Sequence, residues 1–194
     1  MKIYFIRHGQ TDWNIAGRLQ GSMDIELNAT GISQAEELSN LVKKGNYNIS
    51  KIYSSRQKRA LKTAQILGAA ISKEVIPVDG IQEINFGKWE GLGFDEIEKL
   101  YPEDYRLWFN NRRYTKPPMA ESYNDVLIRA LKAIKKIISE NEDDVAIVTH
   151  GGLIMAMQCL LNDVAFEDML KFSLKNTSIL ELDSSDFIKV PEMV

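Results

Sequence analysis

The sequence predicts an α/β protein, a three-layer α/β/α sandwich whose central sheet is mostly parallel. Short apolar segments of strand length alternate with amphipathic segments of helix length, an order typical of an open sheet with helices on both faces. The strand segments are continuous apolar runs, as expected for strands buried on both faces. The 194 residues are 44% hydrophobic and 26% charged, which suits one globular domain. We therefore predict a single domain over residues 1–194 with a short cap excursion at about 81–121.

Three strands are expected in the first part of the chain, with two helices between them. The strands are short runs rich in β-branched and aromatic residues, KIYFIR (2–7), KIYSS (51–55) and EVIPV (74–78). The helices are segments with an apolar stripe at helical spacing, SQAEELSNLVKKG (33–45) and RQKRALKTAQILGAAI (56–71). We expect Gly45 to end the first helix and Ser54 or Ser55 to cap the second.

The cap excursion differs in composition from the rest of the chain. It concentrates glycine, proline and aromatic residues and holds only short helical pieces such as FDEIEKLY (94–101). Regular alternation then returns with helix, strand, helix and two closing strands, SYNDVLIRALKAIKKIISE (122–140), DVAIVT (144–149), GGLIMAMQCLL (151–161), TSILEL (177–182) and FIKV (187–190). We expect Ser122 to cap the helix that follows the excursion.

Charge and hydropathy narrow the classes of function. The net charge of −3 gives no indication of a nucleic-acid or membrane partner. No segment approaches the roughly 18 apolar residues of a membrane span, and the N-terminal apolar run is too short for a signal peptide. The single cysteine, Cys159, lies in an apolar segment and is expected to be a small buried side chain. These features favour a cytoplasmic protein without an intrachain disulfide.

Both histidines of the chain follow a predicted strand and precede a glycine. His8 comes directly after KIYFIR and His150 directly after DVAIVT. Because the carboxyl ends of parallel strands meet at one edge of a sheet, where ligands bind, we expect the two rings to lie close together. Gly9 and Gly151 remove a Cβ where a substrate would approach the backbone. The sequence therefore predicts a binding or catalytic site at this edge.

The residues around the histidines indicate phosphate chemistry. Metal-ligand spacings such as HExxH or CxxC, nucleotide-binding glycine motifs and the GxSxG of serine hydrolases are all absent. Arg7 lies beside His8, and its planar guanidinium suits an oxyanion such as a phosphoryl group. Arg59 could reach the same edge, or it could share a solvent-facing helix surface with Arg56 and Lys62. Spacing alone leaves both possibilities for Arg59 open.

Four segments, RHGQTDWN, RALKTA, QEINFGKWEG and VTHGG, occur in this order along the chain. In order and spacing they resemble the histidine phosphatase superfamily, the group of cofactor-dependent phosphoglycerate mutases and related phosphatases. The resemblance runs from about Lys2 to Ile179. It favours a role for Arg59 in the site over the solvent-facing alternative.

The resemblance implies a role for each matching residue. His8 would be the nucleophile that takes the phosphoryl group on a ring nitrogen, and Glu83 would deliver a proton to the leaving alkoxide. The phosphoryl oxygens would be bound by Arg7, Arg59 and His150, with His150 cationic when it faces a phosphate dianion. Phosphatase activity of this kind requires no metal and no organic cofactor.

Five further residues are predicted to bind substrate. Asn14 and Gln20 match polar positions that often help to hold phosphate in this family, although either could equally be a turn-stabilising amide. Gly151 follows His150 in the VTHGG segment. Arg112 and Arg113 are similar to the paired arginines with which mutases grip a substrate carboxylate, but they could also be exposed charge on the cap.

Three functions are compatible with these residues. We favour a phosphatase acting on a small phosphomonoester, because mutases exclude water with extra structure over the site and the segment between Glu83 and Ser122 is short. A phosphoglycerate mutase and a non-catalytic phospho-ligand binding module are the alternatives. In the PPMAES segment, Met119 and Ala120 replace two glycines that many family phosphatases carry. An apolar cap could also serve a homodimer interface.

Overall fold

The central layer is a five-stranded sheet in the order β3-β2-β4-β1-β5. A computed structural model describes residues 1–191. The strands are β1 (Lys2–Arg7), β2 (Lys51–Ser55), β3 (Val75–Val78), β4 (Val145–Thr149) and β5 (Ile179–Asp183). Only β5 runs antiparallel to its neighbour. The predicted mostly parallel sheet is therefore confirmed, and β1 and β4 lie side by side with their carboxyl ends at one edge.

Helices cover both faces of the sheet, as the fold class requires. They are α1 (Asp12–Ile15), α2 (Ala29–Lys44), α3 (Lys58–Ile71), α4 (Phe94–Leu100), α5 (Pro102–Asn110), α6 (Tyr123–Ser139), α7 (Gly151–Leu161) and α8 (Ser184–Ile188), with 3-10 segments at Gly87–Trp89 and Phe166–Phe172. Tyr4 and Ile6 of β1 pack towards α2 and α3, whereas Ile3 and Phe5 pack towards α6, α7 and the cap. This alternation divides the core into two layers.

Three local expectations differ from the structure. The first long helix begins at Ala29 because the side chain of Asn28 accepts a hydrogen bond from the N–H of Gly31 at 2.8 Å. Gln57, rather than Ser54 or Ser55, is the N-cap of α3. The predicted FIKV strand is not formed, because its first two residues are the end of helix α8 and the other two follow that helix. Phe187 of α8 is buried against Phe5 with ring centroids 5.6 Å apart.

Other predicted boundaries are confirmed. Gly45 ends α2, and Ser122 begins α6 with a side chain that accepts from the N–H of Asp125. Cys159 is buried, and burial raises the pKa of its thiol to about 11. Within residues 1–191, no helix combines the length and apolar character needed to cross a membrane.

The cap excursion folds against the α6–α7 face of the sheet. Its aromatic side chains pack together, and the Trp89 and Trp108 rings meet edge to face with centroids 5.5 Å apart. Both tryptophans are buried, so they belong to the core rather than to a surface that could join two subunits. Phe109 remains exposed. The cap thus forms one wall above the carboxyl ends of the strands.

Candidate active site

His8 lies where β1 ends, and its ring is fixed by the chain around it. The main-chain N–H of His8 donates to the carbonyl of Thr149 in β4 at 3.0 Å, so the pairing of β1 with β4 sets the position of His8. The ring atom Nδ1 lies 2.7 Å from the carbonyl oxygen of Gly9. A carbonyl only accepts hydrogen bonds, so Nδ1 carries the proton and Nε2 of the neutral ring keeps a lone pair. A neutral imidazole held in this way can act as a nucleophile only through Nε2.

His150 occupies the equivalent place after β4, as the N-cap residue of α7. Its Nε2 lies 2.8 Å from the hydroxyl of Ser55, and its buried Nδ1 has no protein partner among the described residues. The centroids of the His8 and His150 rings are 5.2 Å apart. The structure therefore brings the two histidines together, as the strand ends predicted.

Both imidazoles are biased towards the neutral form. Burial lowers the pKa of His8 well below the usual 6.5, and the Arg59 and Arg7 guanidinium groups lower it further. Burial and Arg59 lower the pKa of His150 in the same direction. In the protein without an anion the lowered pKa of His150 disfavours a proton on its ring. The cation that we expected for His150 opposite bound phosphate stays a prediction.

Arg7 and Arg59 present guanidinium groups to the same cavity. Arg59, completely buried in the first turn of α3, donates from Nη1 to the carbonyl of Met23 at 2.7 Å and from Nη2 to that of Gly21 at 2.9 Å. Arg7 donates from Nη1 to the carbonyl of Leu174. The buried Nε of each has no acceptor in the described part of the chain. Arg59 therefore belongs to the site and not to a solvated helix face, and these donors fit an anion.

Glu83 enters the site from the start of the cap and faces the N-terminus of α7. Its Oε2 accepts from the N–H of Gly152 at 3.0 Å, and its Oε1 accepts from the N–H of Leu153 at 3.1 Å. The main-chain N–H of Glu83 donates to the side chain of Gln57 at 2.8 Å. Glu83 thus lines the same cavity as the two arginines.

The cavity that these groups share has a volume of about 220 Å³. His8, Arg7, Arg59 and Glu83 line it together with aliphatic and aromatic side chains, namely Leu19, Phe86, Phe94, Trp108, Met155, Met169, Leu170 and Leu174. The lining can therefore accommodate both a charged group and an organic substituent.

Four of the five predicted substrate-binding residues line the cavity, namely Asn14, Gln20, Gly151 and Arg112, and Arg113 does not. Asn14 also accepts from the N–H of Thr11 at 3.0 Å and so stabilises a turn as well. Buried Oε1 of Gln20 has no partner in the region that the structure covers.

The two arginines of the cap differ in position. Arg112 is buried and stacks on Trp108 and Phe109, with its guanidinium carbon 4.7 and 4.6 Å from the ring centroids. Of the two alternatives that the sequence left open for Arg112, exposed charge on the cap is therefore excluded. Arg113 does not line the cavity; it donates to Asn124 at 3.4 Å and lies over Tyr114. The sequence could not separate these neighbours, because only the turn after α5 decides which one faces inwards.

Sequence reasoning missed Tyr123 and Gln57. Tyr123 is a buried wall residue of the cavity, and burial raises the pKa of its phenol. The side chain of Gln57 accepts a hydrogen bond from the main-chain N–H of Glu83 and donates one to the carbonyl of Gly21. Both lie beside residues that the sequence did single out, but an aromatic at a helix start and an amide before a helix carry no signal of their own.

Among residues 1–191, no group of three or more His, Cys, Asp or Glu side chains is arranged to hold a metal ion.

Comparisons with known proteins agree with this geometry. A family model described as "Histidine phosphatase superfamily (branch 1)" matches residues 3–187. The chain is 35% identical to phosphoglycerate mutase-like protein 4 of Arabidopsis thaliana over 80% of this chain and 69% of that protein. It is 31% identical to phosphoserine phosphatase 1 of Hydrogenobacter thermophilus, over 92% and 84%. A mutant phosphoserine phosphatase of Entamoeba histolytica, solved with phosphoserine, superimposes with a TM-score of 0.82 at 33% identity over 93% and 89%.

Proposed function

The chain belongs to the histidine phosphatase superfamily, and on that premise we propose that it is a phosphomonoesterase acting on a small phosphorylated metabolite through a phosphohistidine on His8. The observation that carries the proposal is the state of the His8 ring. Its Nδ1 donates to the carbonyl of Gly9, so the lone pair of Nε2 is free in a cavity that Arg7 and Arg59 line. Such a ring is an activated nucleophile beside an anion-binding site.

The first step forms the covalent intermediate. The Nε2 lone pair of His8 attacks phosphorus, the phosphorus–oxygen bond to the leaving group breaks, and Glu83 gives its proton to the departing oxygen. Arg7, Arg59 and His150 bind the phosphoryl oxygens and stabilise the charge that they carry in the transition state. The alcohol then leaves the cavity.

The second step releases phosphate. Water attacks the phosphohistidine, the carboxylate of Glu83 accepts a proton from that water, and the nitrogen–phosphorus bond breaks to return the lone pair to Nε2. All of the groups needed for both steps are side chains of this protein, so the proposal includes no metal and no organic cofactor.

We propose that the substrate carries a second anionic group. Arg112 is a buried cation that lines the cavity, and none of the ion pairs within residues 1–191 involves it. A buried charge is costly unless a partner arrives with the ligand. Phosphoserine and phosphoglycerate have a carboxylate in addition to the phosphate. The relatives described as phosphoserine phosphatases support a substrate of this kind.

The experiment that tests the proposal is a panel of phosphomonoesters assayed in EDTA with the wild type and His8→Ala. We expect the wild type to release phosphate from at least one substrate and the variant to lose that activity. Absence of phosphate release from every substrate, or an unchanged rate in His8→Ala, would contradict the proposal. Circular dichroism of the variant shows whether it remains folded.

Mutase activity is the second candidate, because Arg112 would also hold the carboxylate of a phosphoglycerate. Supplying 3-phosphoglycerate with 2,3-bisphosphoglycerate separates the two functions. Rapid isomer interconversion with little free phosphate would establish the mutase, whereas net phosphate release supports the phosphatase.

A further inference from the structure

Behind Glu83 lies an ion pair that the proposed chemistry does not use. Arg129 of α6 faces Glu121 at the end of the cap, with Nε 2.8 Å from Oε1 and Nη2 3.0 Å from Oε2. Both side chains are largely buried, at 23% and 28% exposure. This two-point contact holds the plane of the guanidinium in a fixed orientation.

The remaining donors of Arg129 bind the main chain that carries Glu83. Nη1 donates to the carbonyls of Gly80 and Gln82, both at 2.8 Å, and Nη2 donates to the carbonyl of Glu83 at 3.0 Å. On the other side, Oε2 of Glu121 accepts from the N–H of Asn85 at 2.9 Å. Arg129 and Glu121 together therefore hold the irregular segment from residue 80 to residue 85, which has no strand or helix to fix it.

We propose that Arg129 is a positioning residue for proton transfer by Glu83. This inference rests on the proposed function, because it assigns the effect of Arg129 to the acid role of Glu83. The Glu83 carboxyl group meets the N-terminus of α7 only while its own main chain stays in place. Arg129 holds three carbonyls of that main chain, in addition to the bond from the N–H of Glu83 to Gln57 and the bond from the Thr149 hydroxyl to the carbonyl of Ile81. Arg129 does not line the cavity itself.

Packing would keep the segment attached to α6 without the guanidinium. A Cβ built on Gly80 would come within 2.8 Å of the carbonyl oxygen of Arg129 and of the Cβ of Ala133, so the two backbones are already in close contact. Loss of the Arg129 hydrogen bonds should therefore loosen the segment rather than release it. Small displacements of a catalytic group cost up to about 100-fold in rate, so the effect should appear in proton transfer.

Dependence on the leaving group distinguishes this role from a merely structural one. An alkoxide leaving group needs a proton as its bond breaks, whereas p-nitrophenolate is stable without one. A misplaced Glu83 should therefore slow phosphoenzyme formation from an alkyl phosphate, whereas the rate of phosphoenzyme formation from p-nitrophenyl phosphate should stay nearly unchanged. General loss of active protein would slow both reactions equally.

The test compares single-turnover phosphoenzyme formation from phosphoserine and p-nitrophenyl phosphate, with the best alkyl substrate of the panel replacing phosphoserine if that is not turned over. The variants are Arg129→Lys, Arg129→Gln and Glu121→Gln. Lysine keeps the charge but lacks the planar donors that reach three carbonyls. Arg56→Lys is the matched control, because Arg56 pairs with exposed Asp79 at 2.9 Å close to the same segment but binds no carbonyl in it.

We expect Arg129→Lys to lose about 10-fold or more with the alkyl phosphate and less than about 2-fold with the aryl phosphate. Arg56→Lys should match the wild type with both. If Arg129→Gln does not fold, Arg129→Lys and Glu121→Gln decide the question. Equal losses with both substrates, or no loss with either, would overturn the positioning role.

Glu83→Gln, measured in the same assay, separates this inference from the proposed function. If Glu83→Gln shows the leaving-group dependence and the Arg129 variants do not, only the positioning role fails. If Glu83→Gln shows no such dependence, the proton-donor assignment fails and the positioning role is overturned with it.

Discussion

The imidazole rings of His8 and His150 lie with their centroids 5.2 Å apart and their planes tilted by 58°. Each ring follows the end of one of two adjacent parallel strands, β1 and β4, so the sheet itself fixes their separation. Both rings are buried near Arg59, which disfavours a proton on either. The arginines therefore supply the positive charge of the site, and the lowered pKa of each histidine disfavours the imidazolium form.

The first prediction concerns the protonation of these rings. We expect both histidines to stay neutral in the free protein as the pH falls below 6.5, since their pKa values are lowered. The chain has only two histidines, so an NMR titration of the imidazole Cε1 protons reads both directly. The protein unfolded in urea, where histidine titrates near a pKa of about 6.5, is the control. A folded-state midpoint at or above that value would contradict the prediction.

The same lowered pKa values fix the direction of acid destabilisation. Below about pH 6.5 the unfolded chain binds protons at its histidines that the folded chain does not, so the free energy of unfolding falls as the pH decreases. Above that pH the histidine contribution no longer changes. Urea unfolding of the wild type and of His150→Asn measures this; the acid-side slope should be smaller in the variant if it folds. If the free energy of unfolding fell equally steeply with decreasing pH in both proteins, groups other than His150 would cause the loss of stability in acid.

The second prediction concerns Glu83. We expect Glu83→Gln to lower kcat for an alkyl phosphate by about 100- to 10,000-fold, because the amide has no proton to deliver to the leaving oxygen. Steady-state assays with alkyl and aryl phosphates measure the loss. Glu74→Gln, at an exposed position outside the site, is the control and should match the wild type. A loss of less than about 10-fold would remove Glu83 from the acid role.

The third prediction uses the close approach of Gly152 to Glu83. A Cβ at Gly152 would lie 2.6 Å from Oε1 and 3.1 Å from Cδ of Glu83. In Gly152→Ala the carboxyl group must therefore move, while the helix gains up to about 1 kcal/mol in propensity. We expect kcat to fall at least about 10-fold with a melting temperature close to that of the wild type. In Glu83→Gln the added Gly152→Ala should cost little more activity; fully additive losses would contradict a shared cause.

The fourth prediction separates the two arginines of the cap. Arg112→Gln should raise KM roughly 10- to 100-fold for a substrate with a second anion, the range expected for a lost hydrogen bond to a charged group. It should leave KM for p-nitrophenyl phosphate nearly unchanged. Arg113→Gln is the matched control, since Arg113 lies outside the cavity, and it should behave as the wild type. Equal effects of the two substitutions would contradict the proposed subsite.

Much of the fold followed from local pattern, because buried parallel strands and amphipathic helices have distinct periods. That pattern also placed His8 and His150 at one sheet edge. The FIKV segment was mistaken for a strand because its apolar run is too short to distinguish the two periods. In the structure Phe187 belongs to α8 and is buried against Phe5.

Long-range contacts set the limit of the sequence analysis. Periodicity could not show whether Arg59 faced solvent or the site, since the carbonyls of Gly21 and Met23 that bind it come from a distant loop. The family resemblance was needed to single out Glu83 among the acidic residues. Arg129 gave no signal, because its function depends on which main chain folds against α6.

Rapid-quench trapping with a radiolabelled substrate tests whether His8 carries the phosphoryl group during turnover. We expect label that is stable to alkali, labile to acid and confined to the peptide containing His8, with formation and decay as fast as turnover. His8→Ala should carry none. Phosphate release at the full rate without label on His8, or label on another residue, would show that His8 is not the nucleophile.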